Sequence, residues 1–249
     1  MKLVIATPFY SMAGYSPYIS SLVQAAKMLC KADIDWDFWE YSGDSYVDRA
    51  RNHICARFIE TDYTDLLFID SDMSWNAEGL FNLLRSPHEL TGGVYPVKNN
   101  WEKYTESIKY EGNHSPVQHI DSGRIEAEWL PAGFLLIKRS CLEKMCSAYE
   151  YDWYYSNEKN TELEEPRKII NLFNCKVVDN QRLGEDVSFC KKWNMIGGKC
   201  YVEPRISFGH TGSKTYSGNF DEYLLRQAEL KRIHGSDDVI NFMEKYNAL

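Results

Sequence analysis

The sequence contains no stretch of about 18 consecutive apolar residues, the length a helix needs to cross a bilayer, so no membrane span is predicted. Its opening apolar run, Leu3-Val4-Ile5-Ala6, is too short for the hydrophobic core of a secretory signal, and a cytoplasmic location is expected. There is no CxxC pair, and the seven cysteines are scattered. That spacing excludes the common zinc patterns and predicts buried free thiols in a reducing compartment. No block of five or more like charges occurs, and a net charge of −8 leaves no basic excess for neutralising nucleic-acid phosphates. Internal repeats and low-complexity linkers are absent too, so residues 1–249 read as a single domain.

What is present is an ordinary globular composition, 44% apolar and 26% charged, enough to bury one sizeable core. Aromatic residues make up 14%, a surplus that suits packing against the apolar CH faces of sugars as well as a core. The cluster Tyr151, Trp153, Tyr154 and Tyr155 fits either an acceptor platform or core. Leu3–Ala6 predicts a buried strand ending at Thr7-Pro8. Ser16-Pro17 predicts the start of a helix reaching about Cys30, with Ile19, Leu22, Val23, Ala26 and Leu29 at helical spacing. A strand over 34–41, a helix over 48–59, a strand over 66–69, a helix over 77–84 and a strand over 90–95 follow. Alternation of this kind predicts an α/β fold with a mostly parallel central sheet flanked by helices. Beyond Pro96 the pattern predicts a small antiparallel hairpin around Asp121-Ser122-Gly123 and a strand over 134–138. A helix opening at Gly184-Glu185-Asp186, a strand over 199–202 and helix over 219–246 complete it.

Five segments carry candidate chemistry. Asp70-Ser71-Asp72 follows the apolar run Leu66–Ile69, where an α/β sheet presents ligands at its strand ends. Paired carboxylates there suit a hard cation such as Mg²⁺ or Mn²⁺; the same residues also suit a solvated turn capping a helix. Gly209-His210-Thr211-Gly212-Ser213-Lys214 reads as a glycine-rich loop in which His210 is a possible metal ligand and Lys214 a phosphate contact, or as a plain surface loop. Glu185 and Asp186 suit a general base for an acceptor hydroxyl, and equally the electrostatics of a helix start. In Asp48-Arg49-Ala50-Arg51-Asn52, Arg51 fits a phosphate or Asp70, and Asn52 a base or ribose, and Arg49 and Arg51 equally fit two solvated arginines on a helix. In Trp129-Leu130-Pro131-Ala132-Gly133-Phe134, Gly133 leaves room for a sugar to approach the backbone.

In this order, Thr7-Pro8, Arg51-Asn52, Asp70-Ser71-Asp72, Pro131-Ala132-Gly133-Phe134, Gly184-Glu185-Asp186 and His210-Thr211-Gly212 resemble the GT-A-fold glycosyltransferases over residues 1 to 218. The small glycosyltransferase-like proteins of viruses and phages are the nearest likeness. The resemblance implies transfer of a sugar from a nucleotide-sugar donor such as a UDP-hexose to a carbohydrate hydroxyl, with Mn²⁺ or Mg²⁺. It implies Asp72, Asp70 and His210 around the metal, and Thr7, Pro8, Arg51, Ser71 and Lys214 near the nucleotide. Asp186, beside Glu185, matches the base of inverting members. Residues 1–96 would form the nucleotide-binding half, 97–218 the acceptor and catalytic half, and 219–249 C-terminal helices. Segments 97–116 and 211–218 are expected to close over the donor. One departure is that His-x-Gly and Lys214-Thr215-Tyr216 stand where a retaining family has His-x-x-Gly and Lys-Pro-Trp, which favours inversion. The competing readings are a non-catalytic sugar- or nucleotide-binding module of the same fold, and a haloacid-dehalogenase-type phosphatase with the first Asp as nucleophile.

Overall fold

A computed structural model describes residues 1–10, 13–100, 103–105, 107–111, 115–119, 121–156, 166–230 and 232. The chain begins with β1 (Lys2–Phe9), α1 (Ser16–Lys31), β2 (Asp35–Ser42), α2 (Val47–Ile59), β3 (Asp65–Ile69), β4 (Met73–Trp75), α3 (Ala77–Leu84) and β5 (Leu90–Gly92). The short strands β6 (Tyr110–Glu111), β7 (Ser115–Pro116) and β8 (Ile125–Ala127) follow, then β9 (Phe134–Lys138) and α4 (Arg139–Ala148). Two hairpins come next, β10 (Trp153–Tyr155) with β11 (Lys168–Ile170) and β12 (Lys176–Val178) with β13 (Gln181–Leu183). The last named elements are α5 (Glu185–Met195), β14 (Cys200–Val202), β15 (Ser207–Thr211) and β16 (Thr215–Asn219), and residues 220–230 are helical.

Seven strands form the central sheet in the order β2-β1-β3-β9-β5-β14-β8. Five of them point one way, while β9 and β8 run against their neighbours. Side chains alternate between the two faces along each strand, and both faces are covered. Val4, Leu66 and Phe68 pack with Ile54 and Phe58 of α2 and Leu142 of α4. Leu3, Ile5, Leu67 and Ile69 pack with Tyr18 and Leu29 of α1 and Leu80 and Leu83 of α3. Burial on both sides explains why β1 and β3 read as continuous apolar runs rather than alternating ones.

Several expectations need correction. β1 extends through Pro8 to Phe9, since β3 pairs it only over Leu3–Ala6 and Pro8 therefore leaves no bond of that ladder unmade. α1 begins after Tyr15, and it buries Tyr18, Ser21, Ala25 and Leu29 while Ile19 and Val23 face outward. The face is chosen by polar contacts: the Tyr18 hydroxyl meets Thr7 Oγ1 at 2.7 Å, and Trp75 N–H donates to Ser21 Oγ at 3.1 Å. Residues 209–216, expected as a glycine-rich loop, lie in the β-hairpin β15–β16, joined through β15 to β4 in a three-stranded sheet. The hairpin expected around Asp121-Ser122-Gly123 forms: Gln118 bridges Ile125, His119 N–H donates to Arg124 O at 2.7 Å and Glu126 N–H to Val117 O at 2.8 Å, while β8 also pairs with β14 on its other edge. The expected helix over 219–246 is seen at 220–230, and 233–246 lies outside the described residues. Parts of 97–116 also lie outside them. All seven cysteines are free; Cys55, Cys141, Cys190 and Cys200 are buried, whereas Cys30 and Cys175 are exposed. Among the described residues no helix is long and apolar enough to cross a membrane.

Candidate functional site

The site grows from the end of β3. After Ile69 the chain leaves the central sheet, and three residues later it enters β4 and the smaller sheet. Asp70-Ser71-Asp72 is that crossing, held by Asp70 N–H to Gly133 O at 3.0 Å and by Tyr15 N–H to Ser71 O at 3.2 Å. The register that sets Met73 opposite His210, with Thr211 N–H on Asp72 O at 2.8 Å, brings the histidine beside Asp72. Two distant parts of the sequence thus meet through the pairing of β4 with β15.

Asp70 and Asp72 face different partners. Arg51, on the inner face of α2 with 3% of its side chain exposed, donates from Nη2 to Asp70 Oδ1 at 2.8 Å and from Nη1 to Glu185 Oε1. Burial opposes the guanidinium charge, but Asp70 and Glu185 outweigh it and hold Arg51 above its ordinary value. Glu185 and Asp186 open α5, and burial lifts both carboxyls above their usual range despite Arg51. Asp186 Oδ1 accepts from Val187 N–H at 2.7 Å. This is one guanidinium among three carboxylates, an arrangement that leaves negative charge unbalanced in a desolvated place.

Asp72 Oδ2 lies 2.5 Å from Lys98 Nζ and 3.5 Å from His210 Nε2. Burial works to raise the Asp72 carboxyl, but His210 and Lys98 prevail and hold it below the ordinary value. His210 Nδ1 lies 2.9 Å from Pro96 O, and a carbonyl can only accept, so Nδ1 carries the proton. Asp72 Oδ1 is buried without a hydrogen-bond partner among the described residues. An orphaned carboxylate oxygen beside an imidazole nitrogen is a donor pair that fits a divalent cation. Among the described residues no group of three His, Cys, Asp or Glu side chains is set to hold a metal, and Asp70 Oδ1 is engaged by Arg51.

The other residues singled out from sequence sit as follows. Thr7 is fully buried on Tyr18, whose hydroxyl burial pushes up to about 12. Pro8 lines a cleft of about 130 Å³ at the C-terminal ends of β1 and β2, with Phe9, Tyr10, Tyr41, Asp44 and Val47. Asn52 is spent on the backbone of Phe173, donating to its O at 2.7 Å and accepting from its N–H at 2.8 Å. Lys214 donates to Asn100 Oδ1 at 2.8 Å. Trp153 and Tyr155 stand edge to face on the exposed side of β10, so this part of the aromatic cluster is surface. Two site residues were missed. Tyr95, whose hydroxyl accepts from Gly133 N–H at 3.2 Å, is an aromatic at the end of an apolar run; Lys98 is one lysine in a polar stretch and carries no signal of its own.

Gly133 gives its space to the site rather than to a ligand. A Cβ there would overlap the Tyr95 hydroxyl and lie 2.9 Å from Asp70 Oδ2. Gly133→Ala is therefore expected to lower stability by about 1–3 kcal/mol, as overpacking does, and to push Asp70 off Arg51. Thermal unfolding compared with the native chain checks this; a melting point unchanged in Gly133→Ala would refute it.

No protein-family model and no curated protein sequence matches the chain. Among solved structures it is similar to a glycosyltransferase involved in glycosylation of the major capsid of PBCV-1, at 12% identity and a TM-score of 0.33, covering 64% of this chain and 68% of that one. It is similar to S. aureus TarS 1-349 at 12% identity and a TM-score of 0.41, covering 81% of this chain and 58% of that one. It is also similar to HddC from Yersinia pseudotuberculosis, at 11% identity and a TM-score of 0.33, over 79% of this chain and 98% of that one.

Proposed function

We propose that the chain is a glycosyltransferase that takes a nucleoside diphosphate sugar, UDP-linked in the first instance, and passes the sugar to an acceptor hydroxyl with inversion. The observation that carries this is the pairing of a cation-fitting Asp72–His210 edge with the elevated Asp186 carboxyl, both beside the Asp70–Arg51–Glu185 cluster. A divalent cation held by Asp72 and His210 would supply Lewis-acid stabilisation of the diphosphate leaving group. Everything else falls to the chain. The cleft between Pro8, Tyr10 and Tyr41 suits a flat base against aromatic and proline surfaces. Lys214, on the hairpin that carries His210, would supply positive charge to the phosphates. Asp186, with its carboxyl above the usual range, is the base for the acceptor hydroxyl. Arg51 is enclosed beneath the site and orients Asp70 and Glu185, with no exposed donor for a phosphate.

The phosphatase alternative needs a first aspartate free to attack, and with Asp70 Oδ1 accepting from Arg51 only Oδ2 is left for that role. The non-catalytic alternative leaves the Asp186 carboxyl without a use.

Calorimetric titration of UDP with and without Mn²⁺, on the native chain and on Asp72→Asn, tests the reading. Binding is expected to require the cation and to weaken at least tenfold, about 1.4 kcal/mol, in the variant. Binding indifferent to the cation, or equal in Asp72→Asn, would remove the donor site.

A further inference from the structure

Lys98 stands where the site's cation should be. Its ammonium lies 2.5 Å from Asp72 Oδ2, the oxygen that also faces His210 Nε2 at 3.5 Å. Among the described residues, Asp70 and Glu185 pair with Arg51, and Asp72 pairs with Lys98. Arg51 is buried and fixed on Asp70 and Glu185. Lys98 is 35% exposed, and it holds Asp72 by a single ion pair.

The chain around Lys98 is stapled to the β15–β16 hairpin on both sides. Pro96 O accepts from His210 Nδ1 at 2.9 Å, and Asn100 Oδ1 accepts from Lys214 Nζ at 2.8 Å. Between the staples the lysine stem crosses Gly212, where a Cβ would come within 3.1 Å of Lys98 Cδ. The backbone is thus positioned while the flexible four-carbon stem is left a smooth track, so the head can leave Asp72 without unfolding the strap.

We propose that Lys98 is a built-in counter-ion that competes with a divalent cation for Asp72 and, once displaced, turns to the diphosphate beside Lys214. The inference rests on the reading of Asp72 and His210 as a cation site. It assigns Lys98 a positioning role: it keeps the carboxylate neutralised before the donor arrives, and it makes cation and diphosphate binding mutually supportive. Such coupling is reciprocal, so each ligand tightens the other by one factor.

The test is Mn²⁺ binding, followed by the electron paramagnetic resonance of free Mn²⁺, on the native chain, Lys98→Met and Lys98→Arg, with and without UDP. Half-exposed ion pairs are worth little, so without UDP Lys98→Met is expected to bind Mn²⁺ about fivefold more tightly, with Lys98→Arg close to native. The tightening of Mn²⁺ by UDP is expected to shrink in Lys98→Met. Binding by Lys98→Met alone would also support the competition. Equal or weaker Mn²⁺ binding in Lys98→Met than in a native chain that binds it would overturn the role of Lys98 and leave the cation site standing. Absence of Mn²⁺ binding in all three proteins would overturn both. Because Lys98→Arg keeps the charge, an equal change in both variants would mark a merely structural effect and overturn the proposal.

Discussion

Arg51→Met is expected to lower the unfolding free energy by about 3–5 kcal/mol at pH 7, the range for stripping one partner from a buried ion cluster. In a chain of this size that is a fall in melting temperature of roughly 10 °C. Methionine matches the length of the stem but leaves Asp70 and Glu185 without the guanidinium that both contact. The deficit should also depend on pH, with a defined sign. Burial already holds Glu185 and Asp186 above their ordinary 4.5 and 3.8. A carboxyl raised in the native state keeps a proton that the unfolded chain has lost, so its contribution is present below the ordinary value and lost as pH rises through the native one. Removing Arg51 takes away a force that lowers both, which moves the native values further up and widens that window. The gap between variant and native protein should therefore narrow between pH 7 and pH 5. Denaturant unfolding at the two pH values measures it; a gap under 1 kcal/mol, or one that does not narrow, would show that the cluster is not what holds α2 to α5.

The pairing of Arg51 with Asp70 was one of two alternatives open in the sequence, and its outcome shows what a sequence can and cannot carry. β3 and the aspartates after it were legible because a strand buried on both faces must be apolar without interruption, and the first polar residues after it mark its end. α2 was legible because Ala50, Ile54 and Phe58 keep one helical face. α1 was misphased, since Tyr18 and Ser21 face inward for the sake of a hydroxyl and a backbone amide, which an apolar pattern does not register. β15 was invisible for a related reason. Gly209, His210 and Thr211 have no alternation to read, and their strand exists because β4 and β16 flank it. The place of His210 at Asp72 is thus a property of register, and Lys98 reaches the same carboxylate across 26 residues with no local mark at all.

Asp186→Asn is expected to reduce turnover by about 10²–10⁴-fold, the contribution of a positioned general base. Asparagine keeps an oxygen for the Val187 N–H, so the start of α5 should survive and donor binding should stay near native. The effect belongs in kcat rather than in donor affinity, as for a group that acts only as the hydroxyl loses its proton. Glu185→Gln is the contrast: it breaks the ion pair with Arg51 and should lower stability along with rate. The pH profile separates the two further. The native rate should climb as Asp186 gives up its proton at a pH above the ordinary carboxylate value, and this limb should vanish in Asp186→Asn. Release of UDP from a panel of UDP-hexoses, with calorimetric donor binding alongside, reads both quantities. Turnover within threefold of native would move the base elsewhere, and loss of donor binding together with rate would make Asp186 a structural residue of the cleft.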